Sequence, residues 1–92
     1  MALLRLGIEN KNGMSLVGRS VSRTFPNDSL KSFRLMSGNK VEITFTNKYD
    51  AEESFKGIDE RLIKSCSITE NDQDIIVRLA LGEGEVIVDF KN

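Results

Sequence analysis

Apolar residues recur at every second position through most of this chain, and one stretch near the middle changes to helical spacing. Leu4, Leu6 and Ile8 alternate with Arg5, Gly7 and Glu9, and a second run carries Val17 and Val21. Asn12-Gly13 between them reads as a two-residue type I′ turn, because both turn positions of that type need φ > 0. Such a loop pairs Ile8 with Val17 and Leu4 with Val21, and sets Gly7 against Gly18, where two backbones could approach closely. It also sets Arg19 opposite Leu6 on the apolar face. Either the strand bends there or the arginine reaches past an edge.

Phe25-Pro26-Asn27-Asp28-Ser29 breaks the chain, since proline lacks a donor and restricts the residue before it. A second hairpin follows around Ser37-Gly38-Asn39. It pairs Leu35 with Val41 and Phe33 with Ile43 on one side, and Arg34 with Glu42 and Ser32 with Thr44 on the other. Apolar pairs on one face with an ion pair and a hydroxyl pair on the other suit a half-buried antiparallel ribbon.

The spacing then changes. Ala51, Phe55, Ile58 and Leu62 form one apolar stripe, Asp50 with Glu53 has the pattern of a capping box, and Glu52–Lys56 and Glu60–Lys64 are i,i+4 pairs. A helix is predicted over 51–63, weakened by Gly57. A strand near Ser65–Thr69, a polar turn at Glu70–Gln73 and a run from Asp74 to Leu81 return the pattern to β. With Glu83-Gly84 as a loop, Val77 faces Phe90, Leu79 faces Val88, Leu81 faces Val86 and Arg78 faces Asp89. A faint echo at a period of about 33 residues relates Ser29–Phe45 to Leu62–Leu79, and two copies fall short of a repeat array. The fold class this predicts is α+β: about seven strands in hairpins, forming a mainly antiparallel sheet or partly closed barrel, with one amphipathic helix near 51–63.

The 92 residues suit a single domain spanning 1–92. A domain of this size buries only about 60–65% of its unfolded surface, so its stability is thin. Cys66 is the one cysteine, which excludes an internal disulfide framework. No apolar run is long enough for a signal peptide or a bilayer span, and the expectation is a cytoplasmic protein with no membrane role. Asn27-Asp28-Ser29 fits a glycosylation sequon and, without export, reads as turn chemistry. The net charge of −1 hides a division: residues 1–47 balance at +4 and residues 48–92 at −5. Unlike faces suited to unlike partners would follow, unless the two halves neutralise each other in the fold.

Histidine is absent, which removes the commonest general base, metal ligand and pH switch. Cys66 alternates with polar neighbours and has no base beside it in sequence. The acidic turn at Glu70–Asp74 lacks the glycine and spacing of a calcium loop, because the sixth position counted from Asp72 is Val77. Gly82-Glu83-Gly84 precedes a strand and carries an acid, so it does not cradle phosphate. The expectation is therefore no enzyme, no cofactor and no metal. A non-enzymatic binding module is expected, of the inhibitor or immunity kind. It would contact another protein, a basic one, through Glu52, Glu53, Asp59 and Glu60 on the helix's polar face. The alternative is nucleic-acid binding through Arg19, Arg23, Lys31, Arg34 and Lys40, five cations interleaved with serines in the basic half. A third reading is a structural subunit of a phage or secretion assembly.

Overall fold

The computed structural model describes residues 2–12 and 15–91, and the side chains of 2–9 and 18–91. Seven strands and one helix follow in the order β1 (Ala2–Asn12), β2 (Ser15–Phe25), β3 (Leu30–Met36), β4 (Lys40–Phe45), α1 (Lys48–Glu53), β5 (Ile63–Asn71), β6 (Asp74–Leu81) and β7 (Glu85–Lys91). They form two open antiparallel sheets rather than one sheet or a barrel: β2-β1-β7 and β3-β4-β6-β5. Leu4, Leu6 and Ile8 of the first sheet and Val41, Ile43, Phe45, Val77 and Leu79 of the second belong to one buried cluster. Phe45 lies at its centre, with edge-on contacts to Phe25 at 5.4 Å and Phe55 at 6.3 Å between ring centroids.

The β1–β2 ladder pairs Leu6 with Val21, Ile8 with Arg19 and Leu4 with Arg23, two residues away from the register expected for an Asn12-Gly13 turn. Gly7 consequently faces Ser20, and Glu9 faces Gly18. Asn12 ends β1, and Gly13 lies outside the described residues. A slide of two residues keeps every side chain on its original face, so alternation alone could not distinguish the registers. The observed one sets Phe25, whose ring meets Phe45, opposite Ala2, and places Arg19 opposite Ile8 and Arg23 opposite Leu4 in place of the single Arg19–Leu6 pair. Arg19 still stands on the core side of β2 and reaches past that edge to Asp59.

The β3–β4 hairpin has the expected register, Leu35 with Val41, Phe33 with Ile43, Arg34 with Glu42 and Ser32 with Thr44. The final hairpin does not form. β6 already has β4 on one side and β5 on the other, so it has no free edge for β7. β7 crosses to the other sheet instead, where Leu4 meets Phe90, Leu6 meets Val88 and Ile8 meets Val86. Asp89 accordingly pairs with Arg5 at 3.6 Å, and Arg78 with Glu42 at 3.1 Å. The crossing at Gly82–Gly84 is pinned by Asn39, whose side-chain amide donates to the carbonyls of both glycines at 2.8 and 3.0 Å, and by the Gly82 amide donating to Leu62 O at 2.9 Å.

The helix is shorter than its stripe. Asn47, not Asp50, caps α1, accepting from the Asp50 amide. Asp50 instead takes a hydrogen bond from the buried hydroxyl of Ser29 at 2.9 Å. α1 ends at Glu53 with Ser54, still in the right-handed helical region, as its C-cap, and Gly57 at φ 70° turns the chain. Phe55, Ile58 and Leu62 nevertheless all pack on the core, from turns rather than from helix. The segment 54–62 lies beside β2, tied to it by Arg19 and Arg23. Among the described residues no helix is long and apolar enough to cross a membrane.

Candidate binding surface

The four acids expected on one helical face do not share one. Glu52 and Glu53 are on α1, whereas Asp59 and Glu60 lie in the segment that follows. Three of them have nearby cations. Lys48 lies between Glu52 at 4.0 Å and Glu70 at 2.8 Å, and its pKa is raised, first by the hydrogen bond to Glu70 and then by the charges of Glu70 and Glu52. Lys56 pairs with Glu53 at 2.8 Å and is raised by that hydrogen bond and charge. Asp59 is lowered, chiefly by hydrogen bonds from the Arg61 side chain and backbone, with the charges of Arg61 and Arg19 adding to them. Glu60 alone has no ion-pair partner among the described residues. Exposed pairs of this kind add little stability, but they cancel the field that an acidic face would need to steer a partner.

The five cations of the basic half divide between places. Arg19 and Arg23 are held at the seam between β2 and segment 54–62: Arg19 on Asp59 at 3.3 Å, and Arg23 donating to Ser54 O at 3.1 Å and Ser22 O at 3.0 Å. The open cleft they line, about 420 Å³, is bordered by Val21, Ile58 and Leu62. Lys31 pairs with Asp74 at 2.6 Å. Arg34 and Lys40 stand elsewhere, on the face of the four-stranded sheet turned away from the core.

That outer face is a polar surface built on regular structure. Residues 41, 43, 45, 75, 77 and 79 point inward and are buried, so the alternate positions face solvent. Arg34 and Met36 come from β3, Lys40, Glu42 and Thr44 from β4, and Ile76, Arg78 and Ala80 from β6. Ser65, Ser67 and Thr69 come from β5. Glu42, with its side chain 16% exposed, lies between Arg78 at 3.1 Å and Arg34 at 3.8 Å, and Arg78 also approaches the Thr69 hydroxyl at 3.5 Å. Two cations therefore hold one anion, and Lys40, on the same face of β4, has no ion-pair partner among the described residues. A depression of about 320 Å³ beside them is lined by Met36, Lys40, Ser65, Ser67, Arg78 and Ala80.

Sequence reasoning placed Arg34 opposite Glu42 and missed Arg78, because it assigned that arginine to Asp89. The match between β4 and β6 (Val41 with Leu79, Glu42 with Arg78, Ile43 with Val77) is present in the sequence. It competes there with an equally good apolar match to β7. Of the remaining candidate chemistry, Cys66 is exposed on β5, and surrounding atoms push its thiol pKa up, away from the thiolate that a nucleophile requires. Among the described residues no three Cys, Asp or Glu side chains converge, and no buried side-chain polar atom lacks a partner. The chain matches no protein-family model, no curated protein and no solved structure.

Proposed function

We propose that this protein is a non-enzymatic binding module that holds an acidic surface of another protein against the outer face of its four-stranded sheet. The observation that carries the reading is Glu42, largely sheltered and held between Arg34 and Arg78, with Lys40 on the same outward face of the sheet. Glu42 fixes the two guanidinium groups in place, so less side-chain freedom is lost when they meet carboxylates. Five hydroxyls, from Ser32, Thr44, Ser65, Ser67 and Thr69, supply adaptable hydrogen bonding around the charges. An inhibitor or immunity-type protein would work in this way, by occupying a partner's surface without doing chemistry on it. The acidic docking face expected from Glu52, Glu53, Asp59 and Glu60 loses its support because its charges are largely paired.

The same cations could track phosphates, but the face carries no aromatic side chain on which bases would stack. Amide chemical-shift mapping distinguishes the two. An oligoglutamate peptide at low salt should move the amides of Arg34, Lys40, Ser67 and Arg78, and Lys40→Glu with Arg78→Glu should abolish the movement. Stronger shifts with a mixed-sequence oligonucleotide would favour nucleic acid, and no shift with either would refute the outer face as the binding surface. The response should weaken as salt shortens the Debye length below about 10 Å.

A further inference from the structure

The four-stranded sheet ends on β5, a nine-residue strand exposed from Lys64 to Asn71. An exposed edge offers a row of backbone donors and acceptors to any passing strand, and edges are normally guarded by charge, proline or a bulge. The other described edges follow that rule. β3 carries Lys31, Arg34 and a register shift between Leu30 and Ser32. β2 carries Arg19 and Arg23, and β7 carries Glu85, Asp89 and Lys91. β5 is guarded only at its ends, by the register shift at Lys64 and by Glu70. Between them Ser65-Cys66-Ser67-Ile68-Thr69 has neither charge nor proline, and Ile68 is 37% exposed.

This stretch is also complementary to itself. In an antiparallel pairing centred on Ser67, Ser65 stands opposite Thr69, Cys66 opposite Ile68, and Lys64 opposite Glu70, each pair occurring twice. A centre on Cys66 would set Lys64 against Ile68 and send Glu70 past the strand to Leu62. A centre on Ile68 would set Glu70 against Cys66 and send Lys64 to the turn at Asp72. A centre between residues would oppose core-side to solvent-side positions. We propose that β5 pairs with β5 of a second copy of this chain about a two-fold axis at Ser67, joining two four-stranded sheets into one of eight strands. Such an interface is isologous, as most homodimer interfaces are. Hydroxyl pairs lie on one face, Cys66 and Ile68 cover each other on the other, and two Lys64–Glu70 ion pairs close the ends. Glu70 already receives Lys48 of its own chain at 2.8 Å, so the incoming Lys64 gives it a second cation. The pairing also makes the two outer faces continuous, with Arg78, which is opposite Ser67, one strand from the axis on each side.

Sedimentation velocity tests this directly. The interface is a single strand pair, so the dimer should be weak and appear with rising concentration, up to about 500 µM. Lys64→Glu and Glu70→Lys each set like charges opposite one another, and each variant alone should dimerise at least tenfold more weakly. An equimolar mixture of the two should recover dimer to within about threefold of the original, because the mixed pair restores opposite charges at both ends. In a Cys66→Ser background, Ser67→Cys should form an intermolecular disulfide under mild oxidation, since Cα atoms in such a pair lie about 4.5–5.5 Å apart. Ser65→Cys alone should not, whereas Ser65→Cys mixed with Thr69→Cys should. All these side chains are exposed, and circular dichroism checks that each variant keeps its fold. A wild-type protein that stays monomeric throughout overturns the proposal. So does a mixture that fails to recover dimer, or a Ser65→Cys variant that cross-links as fast as Ser67→Cys.

Discussion

Replacing Gly82 by alanine tests the crossing of the chain between its two sheets. Gly82 does not occupy the left-handed region, so alanine suits its backbone, and the penalty comes entirely from space. A Cβ there would lie 2.1 Å from Arg61 O, 3.2 Å from Arg61 C and 3.0 Å from Ile8 Cδ1. Real Cβ contacts are not that short, so roughly 1 Å must open against backbone rather than against a flexible side-chain end. Overpacking of this kind costs about 1–3 kcal/mol. Opening the gap also pulls the Gly82 amide from Leu62 O, now 2.9 Å away, and an unmet buried donor or acceptor costs about 1–3 kcal/mol more. Against this, alanine reduces the freedom of the unfolded chain, a gain of about 0.4–1 kcal/mol. The net expectation is a loss of about 2–4 kcal/mol, or a melting temperature about 10–20 °C lower for a domain of this size. Urea melts with an unchanged m-value, alongside thermal melts by circular dichroism, provide the measurement. If β6 and β7 formed a hairpin, Gly82 would sit at an open strand end and alanine would be neutral or stabilising. That result would refute the crossing.

Gly57→Ala carries the same kind of sign test. In a helix over 51–63 it would stabilise by about 1 kcal/mol, whereas at φ 70° it should destabilise by about 1 kcal/mol in the same melts, with Gly57→Asn milder. Leu62→Ala should cost about 2–4 kcal/mol, because Leu62 is 2% exposed and its removal leaves a cavity under segment 54–62; a loss below about 0.5 kcal/mol would place it outside the core. Asp59 has a folded pKa below its ordinary 3.8, so its stabilising contribution is present above that value and disappears as pH falls through the folded pKa. Stability differences between wild type and Asp59→Asn should therefore hold above 3.8 and shrink toward zero as pH falls from there through the lowered folded pKa, and a difference that grows on acidification would contradict the pairing with Arg61 and Arg19.

Much of the architecture was legible in the chain because alternation and turn chemistry are local. Seven strands, the 37–39 loop and its register, and the inward faces of β4 and β6 follow from period-two patterning. The apolar quartet Ala51, Phe55, Ile58 and Leu62 was legible as core, although the helix holding its first member ends at Glu53. Gly57 weighs against a helix in the sequence, but what ended α1 was tertiary, since the segment had to leave the helix to run beside β2 and receive Arg19 and Arg23. The partners of β7 and the register of β1 with β2 were not legible, for one reason. A period of two states which face a residue takes, and sliding a strand by two residues or moving it to another sheet preserves that face. Val86, Val88 and Phe90 match Leu81, Leu79 and Val77 as well as they match Ile8, Leu6 and Leu4. The choice was made by the limited number of edges: β4 and β5 fill both sides of β6, so β7 could pair only elsewhere. The candidate surface depends on that same choice, since β6 beside β4 brings Arg78 to Glu42 and completes a cluster that no local stretch of sequence contains.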